Sequence, residues 1–165
     1  MTAPLSLISP DGSFSVRFKW NGDRYAHWLI GEDGNGNEIC SMNSIEGRGE
    51  TDWPSSPPIQ QLSLEKMQMA DVLLGLGGAG LSHWSISVHW VSLAEAPAVK
   101  FELACRYKTK PIFLGSQYES NDGFTITPGE DSELVRSGDS ILVQPHRLMS
   151  DRGTICWSYS IKPVG

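Results

Sequence analysis

The chain has 165 residues, 39% of them hydrophobic and 19% charged, with 13 Lys and Arg against 19 Asp and Glu and a net charge of −6. That length suits one domain able to bury roughly two-thirds of its unfolded surface, so residues 1–165 are read as a single domain. The acidic balance has the wrong sign for following a phosphate backbone, so nucleic acid is not an expected partner, and the composition is neither disordered nor membrane-spanning.

The opening MTAPLSLISPDGSF has no basic residue before Arg17 and a broken apolar run, unlike a secretory signal, and no stretch nears the length of a membrane helix. Phe14, Val16, Phe18 and Trp20 then alternate with polar residues, the period-two pattern of a strand with one wet face. Asn21-Gly22-Asp23 turns the chain into a second strand, Arg24 to Ile30. A glycine and asparagine turn follows, then a strand from Glu38 to Met42. Ile45 to Gln61 holds Gly47, Gly49, Pro54, Pro57 and Pro58 and reads as a long irregular loop. Leu62 to Met69 is read as a strand, a short helix being the alternative.

Three clean alternating runs follow: Trp84 to Trp90, Val99 to Tyr107 and Ile155 to Ile161. Ile112–Tyr118, Phe124–Thr127 and Ile141–Val143 are shorter strands between turn residues. With no long 3.6-residue period, the pattern predicts an all-β antiparallel β-sandwich with little helix, a jelly-roll winding being one form it can take. Trp20, Trp84, Trp90 and Trp157 fall on the predicted core faces.

Several motifs point to chemistry. Gly75-Leu76-Gly77-Gly78-Ala79-Gly80 fits the dinucleotide pattern G-x-G-x-x-G, but that site needs a helix to hold the pyrophosphate, and here a strand follows. The segment is read instead as a connection or bulge where small residues let two backbones approach, and no cofactor is expected. Asp33-x-Asn35-x-Asn37 begins like a calcium loop, yet Glu38 stands where glycine is needed and Ser44 where a glutamate should close the shell, so a solvated turn is expected. His83 and His89 share a strand face about 20 Å apart, too far to ligate one metal. His27 or His146 would have to join one of them, and no metal is expected. Ser85, Ser87, His83, His89 and Glu102 supply the residue types of nucleophilic catalysis if their strands pair, with no nucleophile elbow beside them. Cys40, Cys105 and Cys156 are odd in number and lack C-x-x-C spacing, which points to a reducing cytoplasm.

Trp53 in GETDWPSSPPIQQ, with Glu50 and Asp52 close by, either plugs the end of the sandwich or stands out as a platform for a sugar or peptide, and Trp28 can face either way. The segments SIEGRGETDWPSSPPIQQLSLE, GLSHWSISV and FELACRYKTKPIFLGSQYE resemble pieces of uncharacterised small bacterial proteins of planctomycete type. That resemblance implies a bacterial, intracellular origin and assigns no residue a role.

The reading that follows is a non-catalytic binding or interaction module taking a glycan or peptide ligand through the Glu46–Gln61 loop, with Trp53, Trp28, Asp52, His83 and His89 as candidate contacts. A hydrolase-like enzyme using His83 or His89 with Ser85, Ser87 or Glu102 is the alternative. A structural subunit of a homo-oligomer is a third.

Overall fold

The structure is a computed structural model and describes residues 4–47, 51–147 and 150–165. Thirteen strands are present in it: β1 (Leu5–Ile8), β2 (Phe14–Trp20), β3 (Tyr25–Glu32), β4 (Glu38–Ile45), β5 (Gln61–Lys66), β6 (Asp71–Ala79), β7 (Ser82–Leu93), β8 (Ala96–Tyr107), β9 (Ser116–Glu119), β10 (Phe124–Pro128), β11 (Ser132–Ser137), β12 (Ser140–Pro145) and β13 (Gly153–Pro163). They form two antiparallel sheets, ordered β1-β2-β3-β4-β9-β12-β11 and β10-β13-β8-β7-β6-β5, packed as a β-sandwich. β1 to β4 form one meander and β5 to β8 the other. Strands alternate between sheets only afterwards, with β9, β11 and β12 in the first and β10 and β13 in the second.

The core is what the alternation dictates. Val16, Phe18, Leu29 and Met42 of the larger sheet face Val88, Phe101, Leu103, Trp157 and Tyr159 of the smaller one, all within 3% of complete burial. Trp84 and Trp157 are buried as expected, Trp90 is half-buried, and Trp20 corrects the expectation: as the last residue of β2, beside the turn into β3, it is 40% exposed, edge-on to Tyr25.

The glycine-rich segment is also corrected, because it lies inside β6 and only Gly80 and Leu81 make the turn into β7. Its close approach of backbones is present. Gly75 and Gly77 point inward, and a Cβ on Gly77 would lie 1.6 Å from the Pro58 carbonyl oxygen. The chain at Pro57–Gln60 therefore lies directly on the strand. Between the alternating runs of β7 and β8 the chain makes a two-residue hairpin turn at Ala94 and Glu95, whose φ values of 52° and 63° match the twist of the twelve-residue strands on either side. Ile112 belongs to a connection, and the strand expected there begins only at Ser116.

Gly77→Ala is expected to destabilise the protein by about 3 kcal/mol or more in urea unfolding, since the added methyl displaces backbone rather than a side chain. Gly34→Ala, with nothing within 4 Å of the new Cβ, should stay within about 0.5 kcal/mol.

Candidate functional site

Pairing in register turns the alternation along each strand into rows across the outer face of the six-stranded sheet. One row reads Gln61, Leu76, Ser85, Ala104, Cys156, and the next Ser63, Leu74, Ser87, Glu102, Ser158. The short side chains of Ser63, Ser85, Ser87, Ala104, Cys156 and Ser158, with Glu102 among them, floor a trough of about 820 Å³. Leu74 and Leu76, 40% and 57% exposed, stand above that floor on β6. The flanking rows carry longer side chains: His83 and Arg106, between Gly78 and Thr154, toward the β6–β7 turn, and Glu65, His89 and Lys100, with Val72 and Ser160, on the other side.

The expected pairing of β7 with β8 is present, and it sets Ser87 directly opposite Glu102. The catalytic types do not converge, however. His83 and His89 sit at opposite ends of the trough, outside its lining, while Glu102 is bound to Lys100 at 3.3 Å. Among the described residues no hydrogen bond joins Ser85 or Ser87 to either histidine or to Glu102. His27 is elsewhere, buried between the rings of Phe18 and Phe101 at 4.9 and 5.3 Å, and His146 is exposed. Asp33 closes its own turn by accepting hydrogen bonds from the backbone N–H of Asn35 and Asn37 at 2.8 and 2.9 Å, which hold its carboxyl below the usual range. Among the described residues no group of three or more His, Cys, Asp or Glu is placed to hold a metal.

The proline-rich loop forms a strap across one end of the sandwich; Gly49 and Glu50 lie outside the described residues. Pro54, Ser56, Pro57, Pro58 and Ile59 are buried. Ser56 Oγ donates to the Ile45 carbonyl at 2.7 Å and accepts from the Gln117 N–H at 3.0 Å, tying the strap to β4 and β9. The Tyr25 N–H donates to the Ile59 carbonyl at 2.8 Å, and the Gln60 side chain makes two hydrogen bonds to Gly78, tying it to both sheets. Trp53 is half-buried against the core, edge-on to Trp84 at 6.1 Å. Asp52 is exposed beside Gly80. Trp28 is half-buried on the outer face of the other sheet, opposite Arg17 and Asn43, so it and Trp53 do not share a site. Trp53→Ala is expected to lower stability by about 2 kcal/mol in chemical denaturation, through lost packing on Trp84.

Beneath the strap lies a polar interior. His27 Nε2 and Tyr118 Oη share a hydrogen bond of 2.7 Å, and Tyr118 Oη shares another of 2.7 Å with Tyr159 Oη, so the chain crosses from one sheet to the other. Burial holds His27 down at about 3, so it is neutral there. At the root of the strap both Glu46 carboxyl oxygens are shut off from water, and burial pushes the group up to about 7 against the opposing pull of the Ser44 hydroxyl and the Arg24 charge.

These two shifts act on stability in opposite directions. Glu46 is raised from 4.5 to about 7, so between those values the folded state keeps a proton the unfolded state has lost, and stability falls as pH rises. His27 is lowered from 6.5 to about 3, so stability falls as pH drops through that window. Glu46→Gln is therefore expected to be more stable than the parent at pH 8 by about 3 kcal/mol, and to lose stability from pH 6.5 to 4.5 where the parent stays nearly flat, as read by urea titrations across pH.

Sequence reasoning missed Leu74, Leu76, Ala104 and Cys156 as neighbours. Leu74 and Leu76 lie in an apolar run that does not say which members face out, and the others come from strands distant in sequence. No helix among the described residues is long and apolar enough to cross a membrane. No protein-family model, no curated protein and no solved structure matches the chain.

Proposed function

We propose that this protein is a non-catalytic interaction module that seats a peptide segment of a partner protein in the trough on the outer face of its six-stranded sheet. One observation carries the reading: a concavity of about 820 Å³ stands uncovered on a rigid sheet, with Leu74 and Leu76 raised above a floor of Ser, Ala and Cys. Exposed apolar side chains beside a concavity are where partner contacts gain most from excluding water. A peptide fits better than a glycan, because no aromatic ring lies in the trough floor for a sugar to stack on. The strap, tied to both sheets through buried residues, serves to close the sandwich end. The hydrolase alternative draws no support from serines without a hydrogen-bonded histidine. A cytoplasmic setting is consistent with the three free cysteines, Cys40, Cys105 and Cys156.

Selection of displayed random peptides on the immobilised protein, followed by affinity measurement on Leu74→Ser/Leu76→Ser, tests the reading. Both leucines are substantially exposed, so the double variant should remain folded while the selected peptides bind it about tenfold more weakly. Peptides that bind both proteins equally, or a selection that enriches nothing, would refute it. Light scattering that shows wild type dimerising and the double variant monomeric would also refute it, by making a second copy the occupant.

A further inference from the structure

The charge along one rim of the trough is not that of the whole molecule. The chain carries −6, yet Arg106, Lys108, Lys110 and Arg152, four of its thirteen Lys and Arg, are exposed together along one rim. The register gathers them: Arg106 lies between His83 on β7 and Thr154 on β13, and Lys108 and Arg152 flank the Tyr107–Gly153 pair. Lys110 follows in the connection after β8. Among the described residues the ion pairs are Arg17–Glu32, Arg24–Asp23, Lys66–Asp71 and Lys100–Glu102, so none of these four rim cations has an acid within 4 Å. Among the described residues the acids near these cations are Asp52, beside Gly80, and Asp151, next to Arg152 in the chain; Glu102, paired with Lys100, lies in the trough, and Glu65 lies in the row on its far side. Leu81, 63% exposed, lies in the β6–β7 turn, and Ile112, 86% exposed, in the connection after β8.

Like charges gathered without counter-charges repel one another, and an opposite charge brought to them relieves that repulsion. We infer that the segment occupying the trough is acidic: its apolar side chains rest on Leu74 and Leu76 while its carboxylates reach Arg106, Lys108 and Arg152. The inference rests on reading the trough as a binding surface and adds the chemistry of what binds. An acidic polysaccharide would meet the same cations but would leave the two leucines facing hydroxyls. A nucleic acid strand would find no aromatic ring on the floor for its bases.

The test uses three fluorescein-labelled synthetic peptides with leucine at the same positions and Glu, Gln or Lys between them, read by fluorescence anisotropy and by amide NMR shifts of the full-length protein. The Glu peptide should bind about tenfold tighter than the Gln peptide, weaken as salt rises and shift amides along Leu74–Leu76, Ser85–Ser87 and Arg106. Arg106→Glu/Lys108→Glu, checked for folding by its NMR spectrum, should erase the preference for Glu. If all three peptides shift the trough amides with equal affinity, the acidic assignment fails and the trough survives as a binding surface. If no peptide shifts trough amides, both fail. Polygalacturonate displacing the Glu peptide at a lower monomer concentration than unlabelled peptide would overturn the assignment in favour of a polysaccharide.

Discussion

The structure depends on the absence of side chains at two neighbouring positions on the inner side of β6, Gly75 and Gly77. With only hydrogen at Gly75 and Gly77, the backbone at Pro58 and Ile59 settles directly onto the strand, and the Ile59 side chain occupies the space above Gly75 that a larger residue would fill. From that contact the strap reaches β3 through Ile59, β4 and β9 through Ser56, and β6 again through Gln60. One close approach thus closes an end of the sandwich, positions Trp53 against Trp84 and delivers the chain into β5. Glycines that look like a cofactor turn are needed here to let backbone lie on backbone.

The six-stranded sheet has two faces with opposite demands. Its inner face carries large residues such as Phe101, Trp157 and Tyr159 that fill the space between the sheets. Its outer face places mostly Ser, Ala and Cys around Glu102 in two central rows, leaving a hollow between rows that carry Arg106, His83, Lys100 and His89. The polar groups that do enter the core are satisfied in sequence, His27 to Tyr118 to Tyr159, and this bridge fixes how the sheets sit on one another. By contrast, Ser15 Oγ and the Glu46 carboxyl are buried without a well-formed hydrogen-bond partner, and Glu46 places one source of pH sensitivity at the strap's root.

Much of the fold was legible because the period-two signal is local. The alternations in β2, β7, β8 and β13 name their own buried residues, and the Pro and Gly content of the strap marks it as irregular. The misses have physical causes. Trp20 follows the alternation of β2 but is its last residue, beside the turn into β3, and is 40% exposed there. The turn at Ala94 and Glu95 uses two residues that seldom adopt positive φ, so no Gly or Asn announces it. β1 and β11 are short edge strands with weak patterns, and they form by pairing with β2 and β12.

The candidate site was legible only in part. Sequence alone settles that His83, Ser85, Ser87 and His89 share one face of one strand, because side-chain direction along a strand repeats every two residues. It settles too that the segment after Gly80 is extended and gives a pyrophosphate no helix to rest on. Only the tertiary structure decides that Ser87 meets Glu102, that Leu74 and Leu76 face outward, and that Arg106, Lys108 and Arg152 gather on one rim. Those neighbours are brought together by strand order and register, which are set by contacts between segments as far apart as β6 and β13, and no local pattern encodes a contact of that range.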